Sequence, residues 1–344
     1  MGRRDQVNVL GLTKKDYDGA PSTLCVGCGH NSIANQIQQI AWELGLPQHQ
    51  VIKLSGIGCS SKSPAYFLGH SHGFNALHGR MPSVATGAVT ANHSLIAIGV
   101  SGDGDTGSIG MGQFKHLIRR NVPMVYVVEN NGVYGLTKGQ FSATADQGQF
   151  NKYAGGINEL TPIDLCFEAI ISGCGFVARS FSGDKHQVQE LLKAAVNYDG
   201  TALIDIISPC VTFNDHEGSS KSYAWVQEYN EVINDISFIP EQPEIMVNYQ
   251  EGESISVKLH DGGIVHLTKL DKSYDPRDRE AAITLLERYQ DPDKIVTGLI
   301  YINEDKKTST QILDLPETPL VHLAQSDLRP SREALADALN TFRM

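Results

Sequence analysis

The sequence predicts an α/β protein, a parallel sheet with helices on both faces, continued by a C-terminal extension. Three observations carry that prediction. Short apolar runs alternate with segments whose apolar residues recur at helical spacing, as in strands joined by crossover helices. The apolar runs end in glycine-rich or amide-bearing turns, which a parallel sheet gathers at the carboxyl ends of its strands, where such sheets bind ligands. Beyond about residue 218 the chain turns more polar, with several prolines and no glycine-rich turn after a clear strand. It therefore divides into an N-terminal arm (1–24), a binding domain (25–218) and an extension (219–344), within a length of 344 residues that suits one large domain or two.

Residues 1–24 read as an extended arm ending in the turn Asp18-Gly19-Ala20-Pro21-Ser22. A glycine-rich loop with a C-x2-C follows, then a helix over 31–44 with Ile33, Ile37, Ile40 and Leu44 as its apolar stripe. A strand over 51–54 runs into the loop Ser55-Gly56-Ile57-Gly58-Cys59-Ser60-Ser61-Lys62, and a small-residue helix covers 83–91. The next strand, 95–100, ends in Ser101-Gly102-Asp103-Gly104-Asp105, where glycines let the backbone turn and approach a ligand. A helix over roughly 107–120 and a strand over 124–128 lead to Glu129-Asn130-Asn131-Gly132 and a glycine-rich loop, 132–140. A helix near 163–172, a strand 176–179, a helix 185–196 and a strand 202–207 complete the alternation, the last entering Ser208-Pro209-Cys210. In the extension, 254–259 and 264–267 read as a hairpin around Asp261-Gly262-Gly263, and 278–288 as a helix.

A net charge of −11 argues against nucleic acid, whose binding calls for basic patches. No apolar run approaches the roughly 18 residues that span a bilayer. The first residues lack the apolar core of a signal peptide, and Gln6 stands where a myristoylation signal needs Ser or Thr. The expectation is a cytoplasmic protein that touches neither nucleic acid nor membrane. In a reducing compartment its six cysteines are read as metal ligands, redox groups or buried thiols rather than disulfides. Cys166 and Cys174, in an apolar stretch, are expected to be buried and inert.

Two turns carry chemistry. Asp103 offers a charged oxygen and Asn131 a neutral one, both at strand ends that a parallel sheet sets side by side. A hard cation such as Mg²⁺ is commonly shared between a carboxylate and substrate phosphates, and the bend after Asn131 can add the Val133 carbonyl. Separately, Gly-Asp-Gly is an ordinary turn and Asn-Asn-Gly a hairpin signal. The spacing of the pair resembles the thiamine diphosphate motif. Cys25, Cys28, Cys59 and Cys210 lie in loops; gathered on one side they make the ligand set of a [4Fe–4S] cluster or a structural zinc. A zinc knuckle keeps its second pair close, whereas Cys59 and Cys210 each stand alone, which favours iron–sulfur. His30 caps or packs its helix unless it meets the cofactor, and Arg80 takes either a phosphate or an ion pair. Lys62, three residues past Cys59, is the candidate catalytic cation for a substrate carboxylate, although a lysine there is commonly just solvated.

Cys25-Val26-Gly27-Cys28-Gly29-His30, Gly56-Ile57-Gly58-Cys59-Ser60-Ser61-Lys62, His78-Gly79-Arg80, Gly102-Asp103-Gly104-Asp105, Asn130-Asn131-Gly132-Val133-Tyr134-Gly135-Leu136-Thr137-Lys138-Gly139-Gln140 and Cys210, in that order, resemble the beta subunit of 2-oxoacid:ferredoxin oxidoreductases. The likeness is greatest to the two-subunit 2-oxoglutarate type, the 2-oxoglutarate synthases. It covers about residues 20–230 and finds no motif beyond. It implies a thiamine-diphosphate-binding fold with thiamine diphosphate, Mg²⁺ and a [4Fe–4S] cluster in this chain. Carried over position by position, Asp103, Asn131 and the Val133 carbonyl would bind Mg²⁺. Ile57, Gly58, Cys59, Ser60, His78, Gly102, Gly104, Asp105, Gly135, Leu136 and Thr137 would surround the thiamine diphosphate. Cys25, Cys28, Cys59 and Cys210 would hold the cluster.

The implied reaction is oxidative decarboxylation of a 2-oxoacid, 2-oxoglutarate favoured, with coenzyme A as acyl acceptor and ferredoxin taking electrons one at a time. Pyruvate or a broad substrate range is the alternative. An alpha subunit is the implied partner, in a heterodimer or a dimer of heterodimers, because no glutamate here sits in a motif suited to activating the aminopyrimidine. The rivals are a non-redox thiamine-dependent decarboxylase or synthase, and a non-catalytic subunit that only relays electrons.

Overall fold

The computed structural model describes residues 6–239, 254–258, 264–269, 274–289 and 294–343. Eight strands form one sheet: β1 (Val51–Ser55), β2 (His72–Asn75), β3 (Ile96–Gly102), β4 (Met124–Asn130), β5 (Phe176–Phe181), β6 (Thr201–Ile207), β7 (Asn230–Val232) and β8 (Ile295–Ile302). Their spatial order is β7-β8-β5-β6-β4-β3-β1-β2. From β5 to β2 every neighbour is parallel. The exception is β8, which lies antiparallel on β5 and carries β7 parallel beyond it.

Helices cover both faces. On one side α1 (Gly29–Glu43) and α5 (Lys185–Val196) bury Ile33, Ile37, Ile40, Val188 and Leu191 against Val100, Val127 and Ile204. On the other, α2 (Met81–Ala91), α3 (Met111–Arg120), α4 (Leu165–Ile171) and, later in the chain, the helix Arg279–Arg288 bury Met81, Phe114, Leu117, Ile170 and Leu286 against Ile52, Tyr126, Val128 and Leu203. Successive residues of β4 thus feed opposite cores, and the strand is buried throughout. Burial on both faces is why these strands read as unbroken apolar runs rather than as alternating ones. Cys166 and Cys174 are buried as expected, and burial raises both thiols, Cys174 to about 11.

The segment read as a helix over 107–120 is divided. A wide turn, Asp105–Ile109, closes through Gly110 N–H onto the Asp105 carbonyl at 2.7 Å, and α3 starts only at Met111. Such five-residue closures are uncommon and cluster at functional sites. Strand β2 escaped the sequence reading because it is short, polar and exposed at the sheet edge. The compositional boundary at 218 does not bound the sheet, since β7 and β8 lie beyond it. Also beyond it, strands Asn234–Ile239, Ser254–Lys258 and Ile264–Lys269 make a three-stranded antiparallel sheet. The expected pairing of the last two is present; Asp261-Gly262-Gly263 lie outside the described residues.

The arm is tied down by side chains that satisfy its backbone. Trp42 Nε1 donates to the Leu12 carbonyl at 3.0 Å, Gln48 to that of Asp16 at 2.8 Å, and buried Tyr17 donates to the Leu46 carbonyl at 3.0 Å. Among the described residues no helix is long and apolar enough to cross a membrane.

Candidate functional site

The carboxyl ends of β1, β3, β4 and β6 deliver their loops to one region. Asp103, just past β3, is 1% exposed, and its carboxylate organises the loop after β4. It accepts from the backbone N–H groups of Asn131 at 3.4 Å and Gly132 at 3.2 Å, from Thr144 Oγ1 at 2.7 Å and from Ser142 Oγ. Burial pushes its carboxyl above the ordinary range, and these donors pull it back. Asn131 lies against it, its carbonyl receiving Asn214 Nδ2 at 2.7 Å and its side-chain oxygen the Val133 N–H at 3.1 Å. Asp103, Asn131 and Val133 line one cleft. Two hard oxygen donors converge there, which suits a divalent cation of the Mg²⁺ type.

Ile57, Gly58, Cys59 and Ser60 form the opposite wall, with Gly102, Gly104 and Asp105 between. Gly58 holds φ +83° and has open space where a Cβ would stand, so glycine satisfies the backbone and leaves room for a ligand. Gly104 is required by Tyr134, whose ring would lie 2.5 Å from any Cβ there. Asp105 has a different task. Its carboxylate ties two loops to the end of β3 by accepting from Ile57 N–H at 3.2 Å, Gly79 N–H at 2.7 Å and Ser101 Oγ at 2.9 Å.

Four cysteines gather beside this cleft. A side chain at Gly135 would lie 3.6 Å from both Cys59 Sγ and Cys210 Sγ, and Thr212 Oγ1 reaches Cys25 Sγ at 3.5 Å. Burial raises the Cys28 thiol to about 12, with ionised Cys210 and Cys59 acting in the same sense. Burial likewise raises Cys59 to about 11, with ionised Cys210 and Cys25 adding to it. Four sulfurs gathered at one place are a donor set that cationic iron would stabilise. Among the described residues no three His, Cys, Asp or Glu side chains close on the position of a single ion.

Several expected residues stand elsewhere. His78, Leu136 and Thr137 are exposed and outside the cleft lining. Lys62 lies on the cysteine side, its Nζ 3.4 Å from Thr23 Oγ1 and its charge favouring ionised Cys59.

A family model described as "Thiamine pyrophosphate enzyme, C-terminal TPP binding domain" matches residues 54–206. Another, for the C-terminal part of the pyruvate ferredoxin oxidoreductase beta subunit, matches residues 265–315, where the sequence motifs were silent. The 2-oxoglutarate synthase subunit KorB of Methanocaldococcus jannaschii is 33% identical over 196 residues, which is 57% of this chain and 72% of that protein. The chain belongs to the 2-oxoacid:ferredoxin oxidoreductase beta-subunit family. Another relative, the 2-oxoacid:ferredoxin oxidoreductase subunit beta of Sulfolobus sp, is 44% identical over 191 residues. That match takes in 56% of this chain and 63% of the relative, so it spans less than two thirds of the relative's length. A solved structure of 2-oxoglutarate:ferredoxin oxidoreductase from Magnetococcus marinus, with 2-oxoglutarate, coenzyme A and succinyl-CoA bound, superposes with a TM-score of 0.74. The superposition has 29% identity and covers 95% of this chain and 96% of that one.

In this beta-subunit family member the cleft also holds residues that the sequence did not single out. Glu129 is fully buried in the cleft, receives Ser63 Oγ at 2.8 and 2.9 Å, and lies 3.7 Å from His30 Nδ1. Burial pushes its carboxyl up and the His30 imidazole down to about 4. At the end of an apolar strand, Glu129 carries no spacing signal. Beneath the cleft, Thr144 joins Asp103 to Asn130, Asn130 donates to Asp205 at 3.0 Å, and Arg179 bridges Asp205 at 3.1 Å and Asp164 at 2.6 Å.

Removing Arg179 would strand Asp205, whose carboxyl burial already raises and Arg179 lowers. Arg179→Leu is expected to cost about 3–5 kcal/mol at neutral pH, as for one lost member of a buried ion pair. The unpaired carboxyl then has a folded pKa still further above its unfolded one. The unfolded chain therefore releases more protons as pH rises, and the deficit shrinks on going to acid. Urea titrations of both proteins at pH 7 and pH 5 measure it; an equal deficit at both would show that the loss is one of packing alone.

Proposed function

We propose that the chain, joined to an alpha subunit, performs coenzyme A-dependent oxidative decarboxylation of a 2-oxoacid, 2-oxoglutarate favoured, and passes the electrons to ferredoxin. One observation carries this reading. Cys59 and the Gly135 backbone belong both to the wall of the Asp103–Asn131 cleft and to the cysteine group, so a carbonyl-chemistry site and a thiolate cage share a boundary. A non-redox decarboxylase has no use for that boundary.

Asp103, Asn131 and the Val133 carbonyl hold Mg²⁺ on the diphosphate. Gly58 keeps the cleft open for the cofactor, Gly104 lets the Tyr134 ring pack beneath it, and Asp105 locks two loops and the end of β3 that shape it. Cys25, Cys28, Cys59 and Cys210 hold the [4Fe–4S] cluster. Bound here, thiamine diphosphate supplies the electron sink that decarboxylation beside a carbonyl requires. Lys62 is the cation this chain offers to the carboxylate beside the keto group. The name KorB among the relatives, and 2-oxoglutarate in the solved neighbour, favour 2-oxoglutarate over pyruvate.

The test is reconstitution under argon. The chain alone is expected to be brown and to bind thiamine diphosphate with Mg²⁺ without turning over. Added alpha subunit should switch on viologen reduction that needs both 2-oxoacid and coenzyme A. Normal turnover by the chain alone, or a colourless zinc protein, would overturn the reading.

A further inference from the structure

A groove of about 770 Å³ runs along the first turns of α1 and α5 and opens beside Cys28. Asn31, Ser32, Gln36 and Gln189 line it with neutral polar groups. The charged residues of its lining are Lys14 and Lys185, both exposed. No carboxylate is in the lining; those of the adjoining segments keep their charge outside it, Asp184 capping α5 through the Gln187 N–H at 3.0 Å, Asp215 accepting from the Tyr223 N–H at 2.9 Å, and Asp16 and Asp18 standing exposed near Lys14. In a chain of net charge −11, the charged side chains of this lining are thus two lysines, in a groove that reaches Cys28.

The cysteine loop adds an apolar tip. Val26 is 98% exposed and Val211 37% exposed, and a side chain on Gly27 would touch Val211 Cγ1 at 3.5 Å. Folding gains nothing from leaving Val26 in water. A small apolar contact beside a lysine-lined groove suits a brief protein encounter, in which charge steers the approach and little area is buried.

We propose that this groove and tip dock an acidic one-electron carrier protein. Carboxylates of the carrier enter between Lys14 and Lys185, and Val26 and Val211 meet the surface over the carrier's redox centre. One electron leaves the reduced iron–sulfur group at the cysteines and enters the oxidised centre of the carrier, with no bond made and no atom moved. The inference rests on the proposed function for the source of the electron, whereas the docking itself is read by binding.

The experiment uses the complex with its alpha subunit and an oxidised [2Fe–2S] ferredoxin of strong negative charge. Calorimetry at low and high salt compares wild type with the double variant Lys14→Glu/Lys185→Glu, and with Lys14→Gln/Lys185→Gln as a milder pair. The reversed charges are expected to weaken binding about tenfold or more at low salt and to flatten its salt dependence, the neutral pair doing so partway. The KM for ferredoxin rises while kcat and viologen reduction stay at wild-type values, and thermal unfolding is unchanged. Unaltered ferredoxin affinity in both variants overturns the proposal. So does a loss of viologen reduction in parallel with affinity, because the lysines would then serve subunit assembly. If wild type itself never reduces viologen, the functional reading fails, while the binding comparison still decides the docking surface.

Discussion

Asp103→Ala is expected to abolish the proposed Mg²⁺-dependent binding of thiamine diphosphate. Of the cleft's carboxylates Asp103 is the one set against Asn131, and without it a cation held there would have to balance the diphosphate on the neutral oxygens of Asn131 and Val133. Affinity should fall by more than about a hundredfold, beyond the 10–100-fold typical of changes in groups that merely orient metal ligands. The alanine has a second effect, because Asp103 also serves Ser142, Thr144 and two backbone N–H groups. Leaving such donors unpaired costs about 1–3 kcal/mol. Asp103→Asn separates the two, keeping an acceptor oxygen for the loop while removing the charge. It should unfold closer to wild type yet bind the cofactor as poorly as alanine. Isothermal titration and denaturant unfolding of both variants measure this, and near-wild-type affinity in Asp103→Asn would take the metal away from Asp103.

Cys210→Ser is expected to remove or convert the proposed cluster although its sulfur sits far along the chain from the other three. Three thiolates remain, and an incomplete Cys₄ set holds iron weakly. Iron content should drop, the broad visible absorbance should fade, and the electron paramagnetic resonance signal after reduction should vanish or change shape. Thiamine diphosphate affinity should fall less, because Asn214, four residues on, still grips the Asn131 carbonyl. An unchanged resonance signal would make Cys210 a packing residue.

The sheet and the principal turns were legible because burial on both faces leaves strands apolar and their ends conspicuous. Asp103 and Asn131 stood out for that reason, each following such a run. Glu129 did not, since a charged residue closing an apolar strand has no periodicity of its own and only the fold reveals its burial. Ser142 and Thr144 come from a loop whose path no local rule predicts, and they meet Asp103 by tertiary contact. The end of the wide turn Asp105–Ile109 was read into the helix from about 107 because Ile109 falls in line with the apolar stripe Phe114, Leu117 and Ile118; the Gly110 N–H closes it on the Asp105 carbonyl, while the Asp105 carboxylate holds two loops and the end of β3. In the extension, β8 has an apolar run, but nothing local says that it returns antiparallel to β5.

The positions of the four cysteines bear on how the protein is made. In ferredoxin-like runs the cluster ligands lie within a few residues, and a short peptide can already offer most of them. Here Cys25 and Cys28 precede the sheet, Cys59 follows β1, and Cys210 follows β6, which finds its place only by pairing with β4 and β5. During synthesis the last thiol leaves the ribosome long after the first, and it joins the others only when the sheet is complete. If these thiols hold the proposed cluster, iron and sulfide would therefore reach a chain that has already folded. Until delivery, the exposed Cys25 beside three partly covered thiols is the point at which stray oxidants or wrong metals arrive first.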